Sequence, residues 1–265
     1  MVSHTFVICA YKKSAFLEEC ILSLRAQTVQ SNIMMVTSTP NEYIKALAVK
    51  YNIPLAINEG ESGIAQDWNF GYSQGIGEYV TIVHQDDYYA PNYLEKALKN
   101  LKEAKNPLIF FCDYGEIRNG EKIDKSTLLR VKRYMLLPLR LKWNQKRKWI
   151  RRRVLSFGNP ICCPSVTYCV KNLPVPVFEI KYKSNVDWQT WERISKFKGE
   201  FVYLPEILMY HRIHEESTTS ELIGESIRWK EDYEMFCRFW PKVVAKNLVK
   251  IYKKSEKFND TSGEN

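Results

Sequence analysis

Two neighbouring carboxylates, Asp86 and Asp87, stand just beyond the run Tyr79–Val83, after His84 and Gln85. Five β-branched or aromatic residues in succession suit a strand buried on both faces of a largely parallel sheet. Acids released at the C-terminal end of such a strand lie where open α/β sheets bind ligands, and hard oxygen donors are what Mg²⁺ or Mn²⁺ prefers. The same pair can instead begin a turn and cap the helix that Pro91 opens. A third acid, Asp187, heads the segment DWQTWERI, and Tyr210, His211, Arg212, Ile213 and His214 gather polar and cationic groups further on.

The elements that must position these groups alternate. Phe6–Ala10 reads as a short strand. SAFLEECILSLRAQT follows as a helix, with Phe16, Leu17, Cys20, Ile21 and Leu24 at helical spacing. Ile33–Val36 reads as a strand, Asn41–Tyr51 as a helix, Ile53–Ile57 as a strand and Ser62–Gly75 as a helix. That rhythm means βαβ units and a mostly parallel sheet, an α/β layer of nucleotide-binding type. Tyr93–Lys105 then reads as a helix, Pro107–Asp113 as an apolar strand, Arg118-Asn119-Gly120 as a turn and Tyr203–Met209 as an edge strand. Glu221–Trp240 reads as an aromatic-rich helix, followed by a lysine-rich segment and a polar tail, DTSGEN, of disordered composition. The expected division is an α/β half at 1–118, a second half at 119–220 that holds the basic stretch and Asp187, and a C-terminal helix with tail at 221–265.

At 265 residues, 45% hydrophobic and 26% charged, the chain has the make-up of a globular protein with an ample core. No apolar run approaches the roughly 18 residues of a membrane span. The N-terminus runs directly into a strand pattern, without a basic segment and cleavable apolar core ahead of it, so a cytoplasmic location is expected. Seven scattered cysteines without a CxxC pair point to reduced, buried thiols and no zinc or disulfide framework.

The net charge of +9 is local. Lys125 to Arg153 holds twelve Lys or Arg and no Asp or Glu, leaving 27 basic against 30 acidic residues elsewhere. Leu136, Leu139, Trp143, Ile150 and Val154 can share one helical face, with Arg140, Lys142, Lys146, Lys148 and Arg151 to Arg153 on the others. Such a stretch, 125–155, suits an anionic membrane surface on the inner face of the cell membrane. A solvated helix packed on the body explains the same pattern; nucleic acid is not expected as a partner.

The opening FVICAYKKSAFLEECILSLRAQT resembles that of family-2 glycosyltransferases of the GT-A fold, in which the first strand ends in a polar turn, here Ala10–Lys13, and the first helix in a Gln-Thr pair, here Gln27 and Thr28. NEGESGIAQDWNFGYSQGIGEYVTIVHQDD is similar to the family's next block, matching at Gly63, Asn69, Gly77, Glu78, Tyr79, Asp86 and Asp87. DWQTWERI and YHRIHEESTT resemble two later signatures, and the four blocks span about residues 5 to 220. Two departures stand out: Thr37 and Ser38 end the second strand where the family usually carries paired acids for the base and ribose, and His84 stands where many relatives carry an acid.

The resemblance implies a GT-A-type, Rossmann-like mixed sheet flanked by helices, and a nucleotide-diphosphate sugar as donor, a UDP- or dTDP-sugar. It implies Mn²⁺ or Mg²⁺ held by Asp87 with Asp86, His214 as a further ligand or a donor to phosphate, and Arg212 against the diphosphate. The donor nucleotide would meet Ala10, Tyr11, Ser38, Asp67, Asn69 and Asp86. Asp67 and Asn69 can equally cap and hold a loop, and His214 can be a surface histidine.

An acceptor hydroxyl has a pKa far above 7 and needs a base across from the leaving group. Asp187 is the candidate, and one base without a nucleophilic carboxylate means inversion; the other role open to it is to complement the helix macrodipole. Trp188 and Trp191 can stack on an acceptor sugar or pack the core. The acceptor expected is a growing cell-surface polysaccharide or lipid-linked glycan. The alternatives are a nucleotidyltransferase, which would want a glycine-rich loop that Ala10–Phe16 lacks, and a non-catalytic membrane- or RNA-binding module on a degenerate scaffold.

Overall fold

A computed structural model describes residues 3–214 and 225–261. The sheet begins as expected with β1 (His4–Cys9), β2 (Asn32–Thr37) and β3 (Leu55–Ile57), joined through α1 (Leu17–Arg25) and α2 (Glu42–Lys50). Next come α3 (Ile64–Gln74), β4 (Tyr79–His84), the two-residue β5 (Tyr88–Tyr89), α4 (Tyr93–Glu103) and the long β6 (Pro107–Arg118). After the hairpin strand β7 (Glu121–Ile123) the basic stretch forms α5 (Thr127–Leu136), a 3-10 turn at Leu137–Arg140, α6 (Lys142–Gln145) and α7 (Lys148–Val154). The remainder holds β8 (Thr167–Cys169), α8 (Val186–Ile194), β9 (Glu200–Ile213), α9 (Glu225–Cys237) and α10 (Lys242–Thr261).

The strand order is β3-β2-β1-β4-β8-β6-β9-β5, with β7 on the end of β6. The pairs β3-β2, β2-β1, β1-β4 and β6-β9 are parallel; β8 lies antiparallel between β4 and β6. One sheet therefore crosses residue 118 and ties the two expected halves together. Alternate residues of the central strands feed cores on opposite faces: Val7, Val80 and Ile82 go to one, and Phe6, Ile8, Tyr79 and Val83 to the other. That two-sided burial is why β1 and β4 read as unbroken apolar runs. Gly77, at φ +115°, makes the turn into β4 where a Cβ would come within 2.8 Å of the Ser3 backbone, so only glycine fits.

Tyr203–Met209 belongs to the 14-residue β9, which pairs with β6 along its length and with the two-residue β5 only at Met209 and Tyr210, so most of the segment does border the sheet. Two expectations need correction. The basic stretch is not one helix with a single apolar face. Pro138 sits in the 3-10 turn, and the Asn144 and Gln145 amides satisfy carbonyls of Pro138, Leu139 and Tyr203, which breaks the helix into packed pieces. Arg151, expected on the cationic side, is fully buried and donates to the carbonyls of Gly199 and Phe197. The lysine-rich segment after Trp240 is helical, as α10. The start of the expected helix at 221–224, Glu215–Thr219 of the last signature and the end of the tail at 262–265 lie outside the described residues.

Candidate active site

β4 delivers His84, Gln85, Asp86 and Asp87 to the C-terminal edge of the sheet, and the turn is closed by β5, which pairs antiparallel with β9 at Tyr88 with Tyr210. Continued by one residue, that register sets Asp87 against His211. Asp87 is 1% exposed; His211 Nδ1 and the Arg212 backbone N–H reach its Oδ1 at 2.8 and 3.0 Å, and His84 Nδ1 lies 3.7 Å from Oδ2. One donor atom each from His84, Asp87 and His211 lies within 4.8 Å of the others. Trp68 of α3 stacks on the His84 ring, centroids 5.3 Å apart, and fixes its plane.

Asp87 Oδ2 and His84 Nε2 are buried without a hydrogen-bond partner among the described residues. Two orphaned polar atoms at a cluster of that span fit a divalent cation, since a buried polar group left unpaired is otherwise costly. Two imidazoles with one carboxylate form a mixed nitrogen and oxygen donor set, unlike the all-oxygen surroundings that Mg²⁺ prefers. Burial works against a charge on His211, but the adjacent Asp87 outweighs it and pushes the imidazole up to about 9.

The cluster differs from the expected set of Asp87, Asp86 and His214. Asp86 turns the other way, 2.9 Å from His214 Nε2, and although burial opposes its charge the neighbouring histidines hold it below the usual carboxylate range. Arg212, 6% exposed, donates from Nε to the Asp86 carbonyl at 3.0 Å and from its guanidinium to Glu19 at 2.6 Å, with its plane 4.2 Å over the Phe16 ring. In this arrangement it braces the acidic turn against α1. His84 and His211 were not among the expected metal residues; the i,i+3 spacing of His84 and Asp87 across a tight turn was the available signal.

The ends of β1 and β2 carry the expected nucleotide contacts. Ala10 is buried and its N–H reaches the Val36 carbonyl at 2.8 Å. The Gln85 amide grips both backbone groups of Tyr11, at 2.9 and 2.8 Å, so β4 sets the course of the turn after β1. Ser38 donates to Asp67 at 2.7 Å and lies 3.0 Å from Ser62, while Asn58 donates to the other Asp67 oxygen at 2.7 Å. Asp67 thus supplies, from α3, an acid beside the strand end where Thr37 and Ser38 carry none. Asn69 is a loop clamp: its amide makes both hydrogen bonds to the Phe178 backbone, at 2.6 and 2.9 Å.

Asp187, in the first turn of α8, accepts from Asn159 at 2.6 Å and from the Trp188 N–H at 2.6 Å. Burial raises its pKa, against those two hydrogen bonds and the charges of Lys132 and His84. Burial holds the Cys162 thiol well above its ordinary value; the Asp87 and Asp187 charges add to that, and Lys132 opposes them. Below it, α8 is pinned by Glu192, which is fully buried and paired with Lys196 at 2.7 Å, Arg238 at 3.1 Å and Arg152. Glu231 of α9 accepts from three successive backbone N–H groups, Lys183 to Asn185, fixing the approach to α8. Asn159 and Glu231 carry no sequence signal of their own, because both act through tertiary contact.

Trp188 and Trp191 pack the core. Both are fully buried, Trp188 with its N–H on the Leu155 carbonyl at 3.0 Å and its ring edge-on to Phe236, so neither offers a face to an acceptor sugar.

A mixed sheet of this order, with acids at the C-terminal edge of its fourth strand and a lone acid heading a helix beyond, is that of a GT-A glycosyltransferase. Residues 5–168 match the family Glycosyl transferase family 2, and the chain belongs to it. An uncharacterized glycosyltransferase of Rickettsia typhi is 23% identical over 263 residues, covering 96% of this chain and 76% of its own. The glycosyltransferase GlyG of Streptococcus pneumoniae is 31% identical over 118 residues, 42% of this chain and 39% of its own. The fold matches TarS of S. aureus, solved with UDP-GlcNAc, at TM-score 0.64 and 16% identity over 94% of this chain and 70% of that one. It also matches the mannosyltransferase PcManGT of Pyrobaculum calidifontis, solved with GDP-Man and Mn²⁺, at TM-score 0.63 and 14% identity over 93% and 69%. The protein is a glycosyltransferase.

Proposed function

We propose that the chain moves a sugar from a nucleotide-diphosphate donor, a UDP-sugar foremost, to a hydroxyl of a growing cell-surface polysaccharide or lipid-linked glycan, with inversion at the anomeric carbon. The observation that carries this reading is Asp187: a carboxylate whose pKa burial raises, with one neutral hydrogen-bond donor on each oxygen. A raised carboxylate is the stronger proton acceptor, and taking the acceptor proton as the hydroxyl attacks is the step that needs one. With Asp187 as base and no nucleophilic carboxylate required, the attack would be a single displacement.

His84, Asp87 and His211 would hold the divalent cation, whose chemistry is to compensate the charge growing on the departing diphosphate. Trp68 and the Arg212 backbone N–H keep those side chains in place. The Ser38, Asp67, Asn58 and Ser62 network, with the Tyr11 turn that Gln85 fixes, would receive the ribose and base. That solved neighbours of this fold were captured with UDP-GlcNAc and with GDP-Man and Mn²⁺ supports a nucleotide-sugar donor and a metal.

The test is turnover of a panel of UDP-, dTDP- and GDP-sugars with Mn²⁺ or Mg²⁺, with and without EDTA, and proton NMR of the product anomer. Metal-dependent transfer with inverted configuration supports the reading. Retained configuration, or turnover indifferent to EDTA, overturns it.

A further inference from the structure

The broken basic stretch has apolar residues on two sides, and a helix packed on the body accounts for one of them. Leu129, Leu136, Leu139, Ile150 and Val154 are buried in the cores. Against them, Val131, Tyr134, Leu137, Leu141, Trp143 and Trp149 stay exposed, the two tryptophans at 50% and 66%. These belong to consecutive short elements, α5, the 3-10 turn, α6 and α7, that pack on one another. Exposing so much large apolar surface within some twenty residues costs free energy in water and marks a surface that something covers.

Charge names the occupant. No Asp or Glu occurs from Lys125 to Phe178, and among the described residues Arg130, Lys146, Arg147, Lys148 and Arg153 form no ion pair. Arg147 lies 4.1 Å over the exposed Trp143 ring, and Arg153 stacks over Phe157 and Trp240. Unpaired cations interleaved with exposed tryptophans fit the boundary of an anionic bilayer, where indole rings sit at headgroup level and the long cationic side chains reach lipid phosphates. A nucleic acid would use the cations and the stacking, but not the branched aliphatic residues Leu137 and Leu141. No helix among the described residues is long and apolar enough to cross a membrane, so the contact is with its surface.

We propose that α5 to α7 with their 3-10 turn form a docking face for an anionic lipid bilayer, with Trp143 and Trp149 entering the interface and Lys146, Arg147 and Lys148 binding headgroup phosphates. The proposal stands apart from the transfer reading, because none of these side chains belongs to the active site. The experiment is sedimentation of the full chain with vesicles of phosphatidylglycerol and phosphatidylcholine, against vesicles of phosphatidylcholine alone, at low and high salt. The chain is expected to pellet with the anionic vesicles and to be released by salt. The triple charge reversal Lys146→Glu, Arg147→Glu, Lys148→Glu is expected to weaken binding by on the order of tenfold or more. The pair Trp143→Ala with Trp149→Ala is expected to weaken it at both salt concentrations while hydrolysis of a soluble sugar nucleotide stays at the parent rate, which shows that the fold is kept. Equal pelleting with neutral vesicles, binding unchanged in both variants, or binding to duplex RNA without binding to vesicles would each overturn the proposal.

Discussion

Asp87 and Asp187 are both carboxylates drawn away from water, and they keep different company. Asp87 has two imidazoles and a backbone N–H around it and still carries an oxygen with no partner. Asp187 has two neutral donors, one on each oxygen, and a pKa raised by burial. The first environment leaves an oxygen open to one more positive ligand; the second leaves an acid ready to take a proton. On the proposed reading, identical side chains are assigned to cation and to proton by what surrounds them.

Removing each acid or its support should separate those assignments. Asp87→Ala should have the broadest effect, abolishing Mn²⁺-dependent nucleotide binding and lowering transfer by on the order of 10³-fold, read by calorimetry and by product formation. Next is the pH dependence of the metal site. In the metal-free chain His211 is raised from 6.5 to about 9, so its pairing with Asp87 stabilises the fold below pH 6.5 and is lost as pH rises through about 9. A cation needs that imidazole neutral. Its apparent affinity should therefore rise about tenfold per pH unit up to about 9 and then level off, as a Mn²⁺ titration at several pH values would show.

On the other side of the comparison, Asn159→Ala withdraws a donor from Asp187. The acidic limb of the kcat/KM profile should move to higher pH and the neutral-pH rate fall about tenfold, while nucleotide affinity is kept. Ser38→Ala should be the mildest change. It removes one hydrogen bond to Asp67, and KM for the donor should rise no more than about tenfold with kcat unchanged.

Much of this was legible in the chain itself. The apolar runs of β1 and β4 dictated strands buried on both faces, and Asp86 and Asp87 marked the edge where ligands gather. The pairing of β5 with β9 could not be read, since two residues, Tyr88 and Tyr89, give no periodicity. Yet that pairing decides that His211 faces Asp87 while His214 is left to Asp86. The basic stretch misled for a related reason: its apolar spacing suits one helix, but Pro138 and the carbonyl-seeking amides of Asn144 and Gln145 break it, and Arg151 is drawn inside by the carbonyls of Phe197 and Gly199. Trp188 and Trp191 sit at a spacing that serves core and cleft equally well; only the packing of Phe236 against Trp188 and of Tyr168 against Trp191 settles them in the core.

The most direct test of the division between the two acids is nucleotide binding and sugar transfer measured on one preparation of Asp187→Asn. UDP should bind with Mn²⁺ at parent affinity while transfer falls by about 10²- to 10⁴-fold. Transfer near the parent rate, or loss of nucleotide binding along with it, would contradict the account.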